Sequence, residues 1–192
     1  MISVKVIVGS TREGRFSEKL LPWLTKTLDA CDEIEYEVLD LRDYDMPLYD
    51  QAASPASVQD GAYAHEVVRK FAAKVAEADA FLVIAPEYNH GYSAVLKNAL
   101  DSIYAEWNKK IVGFISYGSV GGGRVVEQLR AVAVELQMAS VRNAVHIQSP
   151  WNLQDEAGNL KEHVLDDYQE SLVGTLDQLS WWAGALKAAR LQ

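Results

Sequence analysis

Short runs of β-branched and apolar residues alternate five times with longer segments whose apolar residues recur every three or four positions, and this alternation restricts the fold more than composition does. The runs are Ser3 to Val8, Tyr36 to Leu41, Ala80 to Ala85, Ile111 to Ser116 and Val141 to Ile147. The first, third and fourth are almost unbroken apolar stretches, as strands covered on both faces must be. Between them Leu20, Leu24 and Leu28, then Val68, Phe71 and Val75, then Leu96, Leu100 and Ile103 each fall on one helix face. Val125, Leu129, Val132 and Leu136 mark a fourth helix, and Leu165, Tyr168, Leu172, Leu176, Leu179 and Ala183 a longer last one. Such alternation predicts an α/β fold with a parallel sheet and helices on both faces. The right-handed crossover rule leaves only a few doubly wound sheets, the strand order 2-1-3-4-5 among them.

A chain of 192 residues can bury a sizeable core, and residues 1–192 are expected to form one domain. Cys31 is the single cysteine, which excludes an intrachain disulfide and a multi-cysteine metal site and points to a reducing, cytoplasmic setting. Met1 to Gly9 contains Lys5 and runs into a Gly-Ser turn, so it reads as a strand rather than a signal peptide. No stretch approaches the roughly 18 apolar residues of a membrane span. The formal net charge of −9 opposes association with nucleic acid or anionic membranes, so a phosphate group bound by this chain must be held locally.

Ligands of doubly wound sheets bind beyond the carboxyl ends of the strands, which directs attention to three loops. The loop after the first strand, Gly9 to Ser17, combines glycines, hydroxyls, Arg12 and Arg15 at a helix N-terminus. Free backbone N–H groups, the helix dipole and guanidinium donors together favour an anion there. Ser17 either joins that set or caps a helix beginning at Glu18. Gly9 and Gly14 have the spacing of a P-loop, but Arg15 and Phe16 stand where the lysine and the magnesium-binding hydroxyl belong, and the dinucleotide G-x-G-x-x-G is missing. A mononucleotide phosphate is what remains.

The loop after the third strand, Pro86 to Ser93, places Tyr88, Tyr92 and Asn89 beside Gly91. It suits the edge of a flat heterocycle, or else is a turn capping a helix from Ser93. His90 has no acid or nucleophile near it in sequence. The loop after the fourth strand, Ser116 to Arg124, carries four glycines that would let backbone approach a ligand. Arg124 at a helix start opposes the dipole, which implies an anionic partner or a salt bridge.

These motifs resemble those of the NAD(P)H-dependent FMN reductases and their quinone, azo-dye and chromate reductase relatives. The resemblance rests on Gly9-Ser10-Thr11-Arg12 with Ser17, Ala78-Asp79-Ala80, Pro86-Glu87-Tyr88-Asn89-His90-Gly91, Leu96-Lys97-Asn98-Ala99-Leu100-Asp101, and Ser116-Tyr117-Gly118 with Gly121, Gly122 and Arg124. It implies a flavodoxin-like sheet in which Ser10, Arg12, Arg15 and Ser17 hold the FMN phosphate. Pro86, Glu87, Tyr88, Asn89, Ser116, Tyr117 and Gly118 would border the isoalloxazine, with Gly121 and Gly122 giving the ring room. Where the family usually has Pro-Gly or Pro-Ala, this chain has Ser93-Ala94.

The resemblance further implies NAD(P)H as electron donor, a free flavin, quinone, azo compound or metal ion as acceptor, and a homodimer or homotetramer. No protein acid, base or nucleophile would perform the central step, since hydride chemistry belongs to the cofactor. The rival reading is a flavodoxin-type electron carrier that does not oxidise a nicotinamide. Tyr104, Trp107, Trp181 and Trp182 supply aromatics for an interface or for the core, and Asp43 to Gly61 is either a lid or an inert connection.

Overall fold

The computed structural model describes residues 1–192 and contains a five-stranded parallel sheet in the order β2-β1-β3-β4-β5. The strands are β1 (Ile2–Val8), β2 (Ile34–Asp40), β3 (Ala80–Pro86), β4 (Ile111–Gly118) and β5 (Ala139–Gln148). The helices are α1 (Phe16–Asp29), α2 (Glu66–Ala76), α3 (Ala94–Ser102), α4 (Gly123–Glu135) and α5 (Gln169–Arg190). After β2 the chain crosses from one side of β1 to the other, so the carboxyl ends of β1 and β3 flank the switch point where such sheets bind ligands.

The two-residue period of the central strands sorts the core into two layers. Val4, Val6, Val8, Leu82 and Ile84 pack with Leu20, Leu24 and Leu28 of α1 and Leu172, Leu176 and Leu179 of α5. Ile7, Phe81 and Val83 point the other way, onto Phe71 and Val75 of α2, Leu96 and Leu100 of α3, and Val125 and Leu129 of α4. Trp107 belongs to this second layer, edge-on to Phe71 and Phe81 at centroid distances of 6.0 and 4.8 Å, which settles its place in the core. Trp181 and Trp182 lie instead on the exposed side of α5. No helix is long and apolar enough to cross a membrane.

Element boundaries depart from the sequence pattern where pairing or local geometry overrides hydrophobicity. β2 begins at Ile34 because Ile34 pairs with Ile2, although the charged residues that follow mask the strand pattern. Leu165 and Tyr168 precede α5, with Tyr168 in a 3-10 turn spanning Asp166–Tyr168. The segment 43–61 holds only the short 3-10 turn Pro55–Ser57. It is latched to α3 by Asn98, whose Nδ2 donates to the carbonyls of Met46 and Pro47 at 3.2 and 3.0 Å and whose Oδ1 accepts from the Tyr49 N–H at 3.1 Å. The cavity beside it, lined by Val58, Tyr63, Val68 and Ser102, shares no residue with the three loops.

At the amino end of the sheet, Asp79 accepts from the Ser3 N–H at 3.0 Å and from Lys187 and Arg190 at 2.7 Å each, tying β1 and the start of β3 to the end of α5. Burial alone would raise the Asp79 pKa; the bonds from Lys187 and Ser3 and the nearby Arg190 outweigh it and hold it below the usual carboxylate value. A depressed folded-state pKa contributes stability above the unfolded value of about 4 and loses it as pH falls through the folded value. Asp79→Ala is therefore expected to cost about 1–3 kcal/mol at neutral pH, less than for a fully buried pair because Lys187 is partly solvated. Denaturant unfolding checks this, and the gap between variant and parent should narrow below about pH 4.

Candidate functional site

The loop between β1 and α1 is built around Arg15. Its guanidinium is buried and donates to Asp40 at the end of β2, with Nη1 to Oδ1 at 2.6 Å, to Glu18 at 3.1 Å and to the carbonyl of Ser10. The Asp40 bond raises the Arg15 pKa against the effect of burial, so the charge is permanent. Arg15 thus braces the loop from behind, with both Nη atoms committed to the fold. Arg42, just after β2, continues the brace by donating to the carbonyls of Thr11 and Arg12 and pairing with Glu18. Arg12 alone of the loop's arginines is exposed, and its guanidinium lies 5.1 Å from the Tyr88 ring centroid.

Helix α1 starts at Phe16, two residues earlier than the pattern suggested, and Arg15 takes the capping position without a side-chain cap. Ser17 is therefore inside the first turn and is no cap. Its hydroxyl is fully buried and unpartnered. Ser10, also buried, has its Oγ 2.8 Å from the Tyr88 hydroxyl, which joins the first loop to the second.

In the second loop Tyr88 and Gly91 pair as a miniature hairpin whose central residues, Asn89 and His90, have φ of 51° and 70°. This is the left-handed conformation of a tight hairpin turn, held here without glycine at its centre. Asn89 sits exposed at the tip. His90 Nε2 lies 3.0 Å from Arg124 Nη1, and Gln128 donates to the His90 carbonyl at 2.8 Å, so the hydrogen-bonding neighbour of the imidazole is a guanidinium. Arg124 donates to Glu87 through Nε at 2.7 Å and through Nη2; the salt bridge is the partner its position at the α4 start implied. Ser93 caps α3, accepting from the Leu96 N–H at 3.2 Å and donating to the Gly9 carbonyl.

Pro86 ends β3 in register with Tyr117 of β4, and the Glu87 N–H donates to the Tyr117 carbonyl at 2.8 Å. Ser116 is buried; its hydroxyl lies 2.7 Å from the Gly121 carbonyl and 2.9 Å from His146 Nδ1. Gly122 has φ +78° and its absent Cβ would fall 2.6 Å from Ser116 Cβ, so this turn admits only glycine. A Cβ on Gly118 would meet Glu87 Cβ at 2.8 Å, which shows how closely the second and third loops abut.

Tyr117 is buried against Phe16, with ring centroids 5.3 Å apart. Burial pushes its hydroxyl pKa up to about 12, while the hydroxyls of Ser17 and Ser10 beside it pull the other way. It is a neutral phenol at physiological pH, close to the Ser10 and Ser17 hydroxyls but without a well-formed hydrogen bond to either. Apart from Trp107 in the core, the buried side-chain polar atoms without partners all belong to these loops: Arg15 Nε, Ser17 Oγ, Tyr117 OH and Glu87 Oε2. An anionic group at the start of α1 would accept from the Ser17 and Tyr117 hydroxyls, so the residues present fit a phosphate. Of the residues singled out in the sequence, Arg12, Arg15, Glu87, Tyr88, Tyr117 and Gly118 line one open cleft above β1, β3 and β4. Ser10, Ser17, Pro86, Ser116 and Gly121 are buried and Asn89 is exposed, and none of them lines it.

Three contributors were not evident in the sequence. Asp40 and Arg42 act from the neighbouring strand, a position that only the order β2-β1 reveals. Trp151, which follows β5, also lines the cleft.

Comparison with known proteins gives this cleft a context. The family described as NADPH-dependent FMN reductase matches residues 2–152. An NAD(P)H-dependent FMN reductase of Schizosaccharomyces pombe is 38% identical over 135 residues, covering 70% of this chain and 67% of that one. A 2-hydroxy-1,4-benzoquinone reductase of a Burkholderia species is 28% identical over 189 residues, 94% of this chain and 96% of the other. Among solved structures, the flavoenzyme FerB, an NAD(P)H:(acceptor) oxidoreductase of Paracoccus denitrificans, superposes with a TM-score of 0.72 at 23% identity over 96% of this chain and 98% of its own. The match to the family's model spans every strand and all three loops, and the chain belongs to the NADPH-dependent FMN reductase family.

Proposed function

We propose that the cleft binds FMN with its phosphate at the start of α1, held by Arg12 and by the hydroxyls of Ser10, Ser17 and Tyr117, with Arg15 and Arg42 fixing the loop from behind. The observation that carries this reading is the pair of buried, unpartnered hydroxyls of Ser17 and Tyr117 beside the helix N-terminus. Glu87, Tyr88, Asn89 and Gly118 edge the ring, while Pro86, Ser116, Gly121 and Gly122 set the course of the backbone around it. Residues 1–192 act as one FMN-binding domain.

The chain is an NAD(P)H-dependent oxidoreductase of the FMN reductase type. FMN, when bound, supplies the hydride-accepting chemistry toward NAD(P)H. The protein's part is to fix the phosphate, abut the ring with the loops after β3 and β4, and keep the Tyr117 phenol protonated. Quinones are the acceptors we favour, as the Burkholderia relative is named for one. Cytoplasmic residence and assembly as a homodimer or homotetramer complete the proposal; exposed Trp181 and Trp182 on α5 offer apolar surface for assembly, and light scattering on the purified protein gives the mass.

Arg12→Ala should weaken FMN binding about 10- to 150-fold, the equivalent of a charge-assisted contact of about 1.5–3 kcal/mol. Titration followed by flavin fluorescence measures it, and an unchanged affinity removes Arg12 from the phosphate site. Anaerobic addition of NADPH or NADH to the FMN-loaded protein should bleach the flavin absorbance. A flavin that binds but stays oxidised with both donors would instead identify an electron carrier.

A further inference from the structure

Trp151 lies on the cleft, 58% exposed, on the short 3-10 turn Pro150–Leu153. An exposed tryptophan on a mobile loop would signify little, but this turn is held on all sides. Ser149 enters it at φ 46°, its N–H donating to the Gly118 carbonyl at 2.8 Å, so the turn is fastened to the end of β4 itself. Pro150 is buried, and its carbonyl accepts from the Gln154 side chain at 3.1 Å. Lys161 donates from Nζ to the Asn152 carbonyl and from its backbone N–H to the Leu153 carbonyl, both at 3.0 Å. Lys19 of α1 reaches across to Gln154 and to the carbonyl of Gly158. The backbone before Trp151 is thus fixed to β4, and the segment after it is tied to α1 through the Gln154 side chain and the Gly158 carbonyl, while the indole is left in water.

A large flat side chain on a rigid base loses little conformational freedom when a second flat ring settles on it. The same cleft presents Arg12, an exposed guanidinium, so it joins a phosphate-binding cation to an aromatic face. We propose that Trp151 is a stacking residue for the planar heteroaromatic ring of a phosphate-bearing nucleotide bound in this cleft. The inference deepens the reading given under Proposed function and rests on it. Two nucleotides share the required chemistry: resident FMN and incoming NAD(P)H.

Trp151→Leu keeps apolar bulk but removes the flat ring, and Trp151→Phe restores one. FMN affinity is measured for both variants and the parent by fluorescence titration, with quenching of tryptophan emission as a second readout and steady-state KM and kcat for NADPH as a third. If the ring is that of FMN, W151L loses about tenfold in FMN affinity, equivalent to about 1.4 kcal/mol, W151F recovers most of it, and FMN quenches less emission in W151F than in the parent. If it is that of NAD(P)H, FMN affinity holds while W151L raises KM for NADPH about tenfold at steady kcat, again with rescue by W151F. Equal FMN affinity and equal KM in W151L and the parent would overturn the inference and leave the FMN site standing. A parent protein that does not bind FMN would overturn the site assignment and this inference together.

Discussion

The ion pair between buried Arg15 and half-buried Asp40 is the interaction on which the candidate site rests. It joins the last residue of β2, paired there with Val8 of β1, to the loop that follows β1, and through the Ser10 carbonyl it sets the path of that loop's backbone. Removing Asp40 would leave the buried guanidinium with Glu18 as its one remaining acidic partner, while removing Arg15 would leave a partly exposed carboxylate that still accepts from the Arg42 N–H, so the loss of Asp40 is the more disruptive of the two. The loop is consequently a fixed cradle. Its one free cation, Arg12, faces outward because Arg15 and Arg42 are engaged on the inner side.

Much of this was legible in the sequence because fold and loop chemistry are both written in local patterns. The almost continuous apolar runs of β1, β3 and β4 identified strands covered on both faces, and the three- and four-residue spacing of leucines identified the helices against them. The order β2-β1-β3-β4-β5 followed from handedness together with the resemblance to a family. The three loops stood out by composition, and they do converge.

What escaped the sequence is what depends on spatial neighbours. Arg12 and Arg15 look equivalent in one dimension; only the placement of Asp40 beside β1 separates an exposed arginine from a bracing one. The resemblance implies that Tyr117 borders the ring with Ser116 and Gly118; alternation along β4 turns its side chain to the α1 face, against Phe16 and near the Ser10 and Ser17 hydroxyls. Asn98 reads as one residue of a motif, and its amide serves to hold the 46–49 backbone against α3. Ser17 could be read as a cap only until Phe16 was seen to start the helix.

The contact between Ser10 and Tyr88 has a directional consequence. A serine hydroxyl carries one proton, and either oxygen can be the donor in this pair. A phosphate that accepts from Ser10 uses that proton, leaving Ser10 able only to receive one from Tyr88. The two hydroxyls then form a relay with a single polarity, phenol to serine to phosphate, and such chains strengthen along their length. A phosphate at Ser10 would thereby orient the Tyr88 hydroxyl dipole, and the first and second loops would respond to it as a single polarised unit.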